Sequence, residues 1–127
     1  MRFQSLLAVV GAASLALAPS VASAHAKMVS STPVANSTVA KPAKITMTFN
    51  EKLMGPTVKV SLVMTAMPGM TDHPEMKIAA TSQIGKDGKS VTLTPKRALV
   101  AGTYKVTWSA AGADTHKMGG SFSFTVK

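Results

Sequence analysis

Ile45-Thr46-Met47-Thr48-Phe49 reads ITMTF, an alternation of apolar and polar side chains with the two-residue period of a half-buried β-strand. The same period recurs in YKVTW, from Tyr104 to Trp108, and in FSFTV, from Phe122 to Val126. An apolar strand face has to be covered by a second layer of structure. These three runs therefore predict a layered β-protein.

Four further runs are predicted to be short extended segments or strands: Met28 to Pro33, Val58 to Leu62, Met76 to Ala80 and Ser90 to Thr94. Asp87-Gly88 is a turn signal, and Ala110 to Gly120 is predicted to be a glycine-punctuated loop between the last two strands. Turn signals recur at roughly ten-residue spacing, with no convincing helix. The sequence predicts an all-β fold of about seven strands, either an antiparallel sandwich or a Greek-key β-barrel, and an immunoglobulin-like sandwich fits best.

Residues 1 to 24 have the features of a secretory signal peptide. Arg2 supplies the positive charge, Leu6 to Ala18 is an apolar run of 13 residues, and Ala22-Ser23-Ala24 is a cleavage site of the A-x-A type. The apolar run is too short to span a bilayer. We expect a soluble, exported protein in which residues 25 to 127 form one domain, with His25 as the first residue.

Composition excludes several function classes. The chain has no cysteine, which removes disulfides, thiolate ligands, cysteine nucleophiles and a blue-copper centre. The formal charge of +9 becomes +8 when Arg2 leaves with the signal peptide. Because the lysines are spaced singly and are not interleaved with aromatics, solvated strand faces explain this charge better than nucleic-acid binding does.

The segment from Met64 to Met76, MTAMPGMTDHPEM, holds four of the nine methionines together with His73. Thioether sulfur is a soft donor that suits Cu(I), so we predict a copper-binding loop. Methionines at i, i+3 and i+6 are also typical of a buried helix face, but Pro68-Gly69 and Pro74 oppose a helix. An adaptable protein-binding surface remains an alternative.

A second set of candidate ligands lies far away in the sequence. An N-terminal His25 would offer both an α-amine and an imidazole to one metal ion, and that amine loses its proton readily near neutral pH. Asp114 and His116 are two residues apart, so in extended backbone their side chains point the same way. Three nitrogens and one carboxylate suit tetragonal Cu(II). Considered separately, a cleavage site before a histidine can be an accident, and Asp-Thr-His can be an ordinary turn.

Three stretches carry a resemblance to a known family: HAKMVSSTP from His25, MTAMPGM from Met64, and AGTYKVTW from Ala101 followed by Asp114-Thr115-His116. In this order they closely resemble the CopC/PcoC family of periplasmic copper-resistance proteins across essentially the whole mature chain. The resemblance implies a small Greek-key, immunoglobulin-like β-barrel with a Cu(II) site at one end and a Cu(I) site at the other.

The resemblance also implies the ligands. For Cu(II) they are His25 through amine and imidazole, Asp114 and His116, with Glu51 as a direct or outer partner. For Cu(I) they are Met64, Met67, Met70, His73 and Met76. This chain has Ala26 where close relatives have proline, and its methionine loop is one residue longer around Asp72 to Glu75.

These observations predict a periplasmic, non-catalytic copper carrier that binds Cu(II) and Cu(I) at separate sites. The implied partners are copper ions and a membrane copper transporter or periplasmic copper oxidase; nucleic acid is not a predicted partner, and a monomer is expected. One alternative is an enzyme, a copper oxidase with a histidine brace built on the terminal histidine. The other is a secreted β-sandwich whose methionine loop binds a protein.

Overall fold

The computed structural model describes residues 25–70 and 74–127. The strands are β1 (Met28–Thr32), β2 (Thr38–Val39), β3 (Ile45–Phe49), β4 (Lys59–Ala66), β5 (Met76–Ile78), β6 (Ala80–Ile84), β7 (Ser90–Pro95), β8 (Gly102–Ala111) and β9 (Lys117–Val126). One 3-10 turn, Gly55–Thr57, precedes β4. Across the described ranges no helix has the length and apolarity needed to cross a bilayer. The predicted signal peptide and His73 lie outside these ranges.

Two sheets face each other in a sandwich, with strand orders β1-β3-β7-β6 and β2-β9-β8-β4-β5. The chain crosses between the sheets after β1, β2, β3, β5 and β7. All pairings are antiparallel except that of β2 with β9, which is parallel. The all-β, immunoglobulin-like sandwich is therefore confirmed, and it is formed by two separate sheets in the described residues rather than by one closed barrel.

The structure has nine strands instead of about seven, and the difference comes from the sheet edges. β2 has two residues within a polar stretch, and β6 reads ATSQI with three exposed central residues. Neither strand shows the alternation that a buried face imposes. The single strand predicted from Met76 to Ala80 is two strands, because the chain leaves one sheet after Ile78 and enters the other at Ala80.

The alternating runs fill the space between the sheets, as predicted. The most deeply buried side chains include Ile45, Met47, Val91, Leu93, Val106, Phe124 and Val126. Phe49 meets Trp108 edge to face at 4.8 Å, and Tyr104 stacks on Phe124 at 5.7 Å. The Tyr104 hydroxyl donates a 2.7 Å hydrogen bond to the carbonyl of Val100. A tyrosine near a strand start that binds back to the preceding chain is a feature of immunoglobulin-like sandwiches.

The hairpin of β8 and β9 is longer than its sequence predicted. The loop expected from Ala110 to Gly120 contains only residues 112 to 116, because β8 continues to Ala111 and β9 already includes Gly119 and Gly120. Gly120 pairs with Trp108, and a Cβ on Gly120 would lie 3.0 Å from the indole Nε1. Gly120 thus makes room for an aromatic ring and does not mark a turn. This extension carries the hairpin tip to the end of the sandwich.

The methionine segment is also more regular than predicted. β4 runs through Met64 to Ala66, and Met76 opens β5, so the irregular loop is limited to the middle of the segment. The apolar alternation that includes Leu62 simply continues to Met64, which is 3% exposed. The prediction that the whole segment from Met64 to Met76 is an irregular loop was therefore wrong at both ends, and the exclusion of a helix holds for the described residues 64 to 70.

Candidate metal centre

Three side chains predicted as Cu(II) ligands meet at one end of the sandwich. One ligating atom from each of His25, Asp114 and His116 lies within 4.8 Å of the others. The two imidazole rings are 5.2 Å apart between centroids and tilted by 45°. His25 precedes β1, whereas the other two residues lie in the β8–β9 turn, so the cluster forms only when the sheets pack.

The β8–β9 turn positions Asp114 between the two histidines. Thr115 has a φ of 65°, its N–H donates to the carbonyl of Gly112, and the N–H of His116 donates to Asp114 Oδ1 at 3.2 Å. These bonds leave Oδ2 directed at the imidazoles. It accepts a 2.6 Å hydrogen bond from His25 Nδ1 and lies 3.4 Å from His116 Nδ1.

His25 is held in place through its backbone neighbours. Ala26 is buried, at 1% exposure, and anchors the segment in the core. The Asn50 side chain accepts from the N–H of Lys27 at 2.8 Å and donates to the carbonyl of His25 at 3.1 Å. The Asn50 N–H donates in turn to the carbonyl of Lys27. Asn50 therefore fixes the segment that presents the histidine.

Glu51 lies next to the cluster but is not one of its three members. Its Oε1 accepts a 3.2 Å hydrogen bond from the N–H of Ala113, the residue before Asp114. Thr57 supports the same turn, because its hydroxyl accepts from the N–H of Ala111 at 2.9 Å. In this arrangement Glu51 orients the ligand-bearing turn.

Sequence reasoning missed Asn50 and Thr57. The side chain of an asparagine directly after a strand often forms hydrogen bonds with backbone groups, and this tendency is the one sequence signal for Asn50. The partners of both residues are distant in sequence, and nothing local indicates them.

Electrostatics favour a charged carboxylate at the centre. Partial burial raises the pKa of Asp114, but the N–H of His116, the hydrogen bond from His25 and the nearby imidazoles together lower that pKa below its ordinary value. The Asp114 side chain is 18% exposed, whereas those of His25 and His116 are 45% and 70% exposed. An ionised carboxylate flanked by two accessible imidazoles is a donor set that suits Cu(II) and other borderline divalent cations.

The methionines predicted to bind Cu(I) lie at the other end of the same sheet. Met64 pairs with Tyr104 on β8, seven residues before the Ala111 that leads into the Asp114 turn. Seven residues of strand span roughly 23 Å. The two candidate sites therefore lie at opposite ends of the sheet.

The structure separates these methionines by exposure. Met64 pairs with Met76 on one side and Tyr104 on the other, so all three lie on the inner face of the sheet. Met64 is buried there, and its methyl carbon lies 3.1 Å from where a Cβ on Gly102 would be. Met76, on the edge strand, is 48% exposed.

A tight turn brings two further methionines together. The N–H of Met70 donates to the carbonyl of Met67 at 3.2 Å, and Gly69 has a φ of 76° between them. Proline followed by glycine with positive φ is the sequence of a type II turn. Met70 is 51% exposed and Met67 is half-buried. His73 lies outside the described residues.

Comparisons with known proteins identify the family of this chain. A model of the CopC domain family matches residues 28–127. This chain belongs to the CopC family. CopC-family relatives include copper resistance protein C from Xanthomonas campestris pv. juglandis, 44% identical over 98% of both chains. The corresponding protein of Pseudomonas syringae pv. tomato is 48% identical over 87% of both chains.

Solved CopC-family structures agree with the fold. The crystal structure of selenomethionine PcoC, a copper resistance protein from Escherichia coli, has a TM-score of 0.76 and 44% identity, covering 80% of this chain and 99% of that one. CopC from Methylosinus trichosporium OB3b, at 23% identity, shares the fold with a TM-score of 0.66, covering 81% of this chain and 94% of that one. The family resemblance and the sandwich fold predicted from the sequence are confirmed.

Proposed function

We propose that this protein is a periplasmic copper carrier that binds Cu(II) through His25, Asp114 and His116. The observation that carries this proposal is the convergence of two imidazoles on one ionised carboxylate, with His25 Nδ1 2.6 Å from Asp114 Oδ2. Relatives named copper resistance protein C make copper the ion of choice for this donor set. On binding, Cu(II) replaces the proton shared between that imidazole and the carboxylate.

The fourth donor is the α-amine of His25, freed when residues 1 to 24 are removed. The amine and Nδ1 of an N-terminal histidine close a six-membered chelate ring on one metal ion. It is this ring nitrogen that His25 directs towards Asp114. Together with His116, the chelate and the carboxylate give three nitrogens and one oxygen, the set favoured by tetragonal Cu(II). Glu51 acts by holding the turn at Ala113.

The second part of the proposal is a Cu(I) site formed by the methionines at the opposite end of the sheet. Met67, Met70 and Met76 have accessible side chains, and thioethers prefer Cu(I). Met64 and His73 complete the proposed set. Ligation by Met64 requires its side chain to leave its packing against Gly102.

The different chemistry of the two sites explains how such a carrier works. Nitrogen and carboxylate donors hold Cu(II), thioethers hold Cu(I), and a change of oxidation state therefore favours transfer to the other site or to a partner. The proposed partners are a membrane copper transporter or a periplasmic copper oxidase. We propose a carrier rather than an oxidase because the relatives it resembles are named copper resistance proteins.

The test is titration of the processed protein with Cu(II) and, separately, with Cu(I). We expect one equivalent of each ion, with nitrogen hyperfine structure in the Cu(II) electron paramagnetic resonance spectrum and sulfur scattering in the Cu(I) X-ray absorption spectrum. Intact mass reports the N-terminus in the same samples. Failure to bind either ion would reject the carrier function, and reductant-driven turnover of added substrates would favour the oxidase.

A further inference from the structure

We propose that a groove beside β5 binds a segment of a partner protein in which an apolar side chain is flanked by carboxylates. The inference deepens the proposed function, because it names the chemistry of the partner that docks beside the methionines. It rests on that function only for the transfer of copper. The docking itself depends on the shape and charge of the groove.

The β5 groove lies between strand β5 and the chain from Lys96 to Val100, and its cavity volume is about 630 Å³. Leu99 and Tyr104, both almost fully buried, form its floor. Met76 and Val100 line it with side chains that are 48% and 50% exposed. Concave apolar sites of this size accommodate large side chains or ligands of similar bulk.

Two hydrogen bonds fix the walls of the groove. The Tyr104 hydroxyl donates to the carbonyl of Val100 at 2.7 Å and fixes one end of the wall. The N–H of Lys96 donates to the carbonyl of Ala79 at 2.9 Å and ties the other end to the crossover after β5. A preformed groove avoids the entropy cost of ordering its walls on binding.

The charge of the groove selects the partner. Lys77, Lys96 and Arg97 line it, and Lys41 extends the basic surface into a neighbouring depression of about 300 Å³ that shares Lys96 and Arg97. No aspartate or glutamate is among the lining residues that the structure describes. Within 25–70 and 74–127, none of these four cations is within ion-pair distance of a carboxylate. Carboxylates on the partner would supply the complement.

The arrangement fits a protein segment better than a membrane. The apolar surface with the greatest burial lies at the floor, and the cations stand around it. A flat bilayer reaches the cations but not the floor, whereas a protruding side chain reaches both. Apolar side chains that fill such pockets dominate protein interfaces, and surrounding charges guide association.

The position of the groove links docking to copper. Met76 lines the groove and also pairs with Met64 across β4 and β5. A partner bound there contacts one of the proposed thioether donors directly. Transfer of Cu(I) can then occur without the ion passing through solvent.

The experiment uses the isotope-labelled, copper-free exported protein and the peptide acetyl-GDEFLDEG-amide. We expect amide shifts in nuclear magnetic resonance spectra to be confined to β5 and residues 95 to 104, with a dissociation constant of about 1 mM or tighter. Lys96→Glu/Arg97→Glu should weaken binding by about fivefold or more. Lys86→Glu/Lys89→Glu, exposed residues of the β6–β7 turn with the same charge change, should leave binding unchanged. A peptide with serines in place of Phe and Leu should not bind.

Absence of shifts, shifts spread over the whole surface, or equal loss in both double variants would overturn the proposal. Binding of phosphatidylglycerol vesicles that is lost in Lys96→Glu/Arg97→Glu, without binding of the peptide, would replace the protein partner with a membrane. Cu(I) titration of the same variants separates the two proposals. Normal Cu(I) affinity without peptide binding rejects only the docking site, and peptide binding without Cu(I) affinity rejects only the methionine site.

Discussion

His25 Nδ1 lies 2.6 Å from Asp114 Oδ2, although 89 residues separate the two along the chain. Packing of the two sheets brings them together, since one precedes β1 and the other lies in the β8–β9 turn. The candidate Cu(II) site is therefore a product of the folded state. Its donors converge only when the core has formed, which makes copper binding a direct report of native structure.

Asp114→Asn should remove the anionic donor while keeping the size of the side chain. We expect Cu(II) affinity to fall by roughly 100-fold or more. Loss of a residue that only hydrogen-bonds to a metal ligand already lowers metal affinity by about 10–100-fold, and Asp114 is proposed to be a ligand itself. Cu(I) affinity should not change, because the methionines lie at the other end of the sheet. Competition titrations with a chromophoric chelator measure both. Glu75→Gln, at an exposed position just before β5 at the other end of the sheet, is the matched control for Cu(II). Equal Cu(II) affinity in the two variants would exclude Asp114 as a ligand.

One extra residue before His25 should convert the α-amine into an amide. We expect Cu(II) affinity to fall by roughly tenfold or more, the equivalent of about 1.4 kcal/mol, because the chelate ring is lost. Cu(I) affinity should be unchanged. Competition titrations of the extended and the processed protein, under the same conditions, measure both affinities. If the extended protein binds Cu(II) as tightly as the processed one, the amine is not a donor.

Met64→Ala and Met70→Ala should differ in what they damage. Loss of the buried Met64 side chain should lower the free energy of unfolding by about 2–5 kcal/mol, whereas the exposed Met70 should change it by about 0.5 kcal/mol or less. Urea unfolding followed by Trp108 fluorescence measures both.

Met70→Leu should lower Cu(I) affinity at unchanged stability. Unchanged Cu(I) affinity after replacing Met64, Met67 and Met70 together by leucine would reject the methionine site.

Gly120→Val should destabilise the hairpin. Its Cβ would lie 3.0 Å from the Trp108 indole, so the ring or the strand has to move. We expect a loss of about 1–3 kcal/mol in unfolding free energy and a change in Trp108 emission. Ser121→Val, at an exposed neighbouring position on β9, is the control. A stability loss no greater than that of the control would show that the indole does not require glycine.

Asp87 should contribute to stability in a pH-dependent manner. The N–H of Lys89, followed by the backbone and hydroxyl of Ser90, lowers the pKa of Asp87 below its ordinary value of 3.8. Because the folded pKa is depressed, this stabilisation is complete above the unfolded value and is lost as pH falls through the folded one. Asp87→Ala should therefore be less stable than the parent at pH 7, and the gap should close below the folded pKa. A gap that persists unchanged in acid would contradict this origin.

Local patterns predicted the parts of the fold that are buried. Strands β3, β8 and β9 each alternate because one face lies in the core, and that requirement is visible in ITMTF and YKVTW. The edge strands β2 and β6 lack a buried face and left no such pattern. Glycines near Trp108 were misinterpreted as loop because the ring they accommodate lies on the neighbouring strand.

The candidate ligands could likewise be predicted from their chemistry. The residues that hold those ligands in place could not be predicted from the sequence. An N-terminal histidine after a cleavage site and the Asp-Thr-His motif are visible in the sequence, and the structure brings His25, Asp114 and His116 together. Asn50, which bonds to both sides of the His25 segment, acts through contacts between residues about 25 positions apart. The burial of Met64 was predictable in part, because it continues the alternation of β4.

The sequence by itself determined the strand periodicity, the absence of thiolate chemistry, the family, and the identity of the soft and hard donors. Only the tertiary structure decided which of these donors meet, which methionines are accessible, and where a basic apolar groove lies beside them. The physical reason is that donor type is a property of a single side chain. The distance between donors, the exposure of a side chain and the clustering of charges all depend on how the two sheets pack.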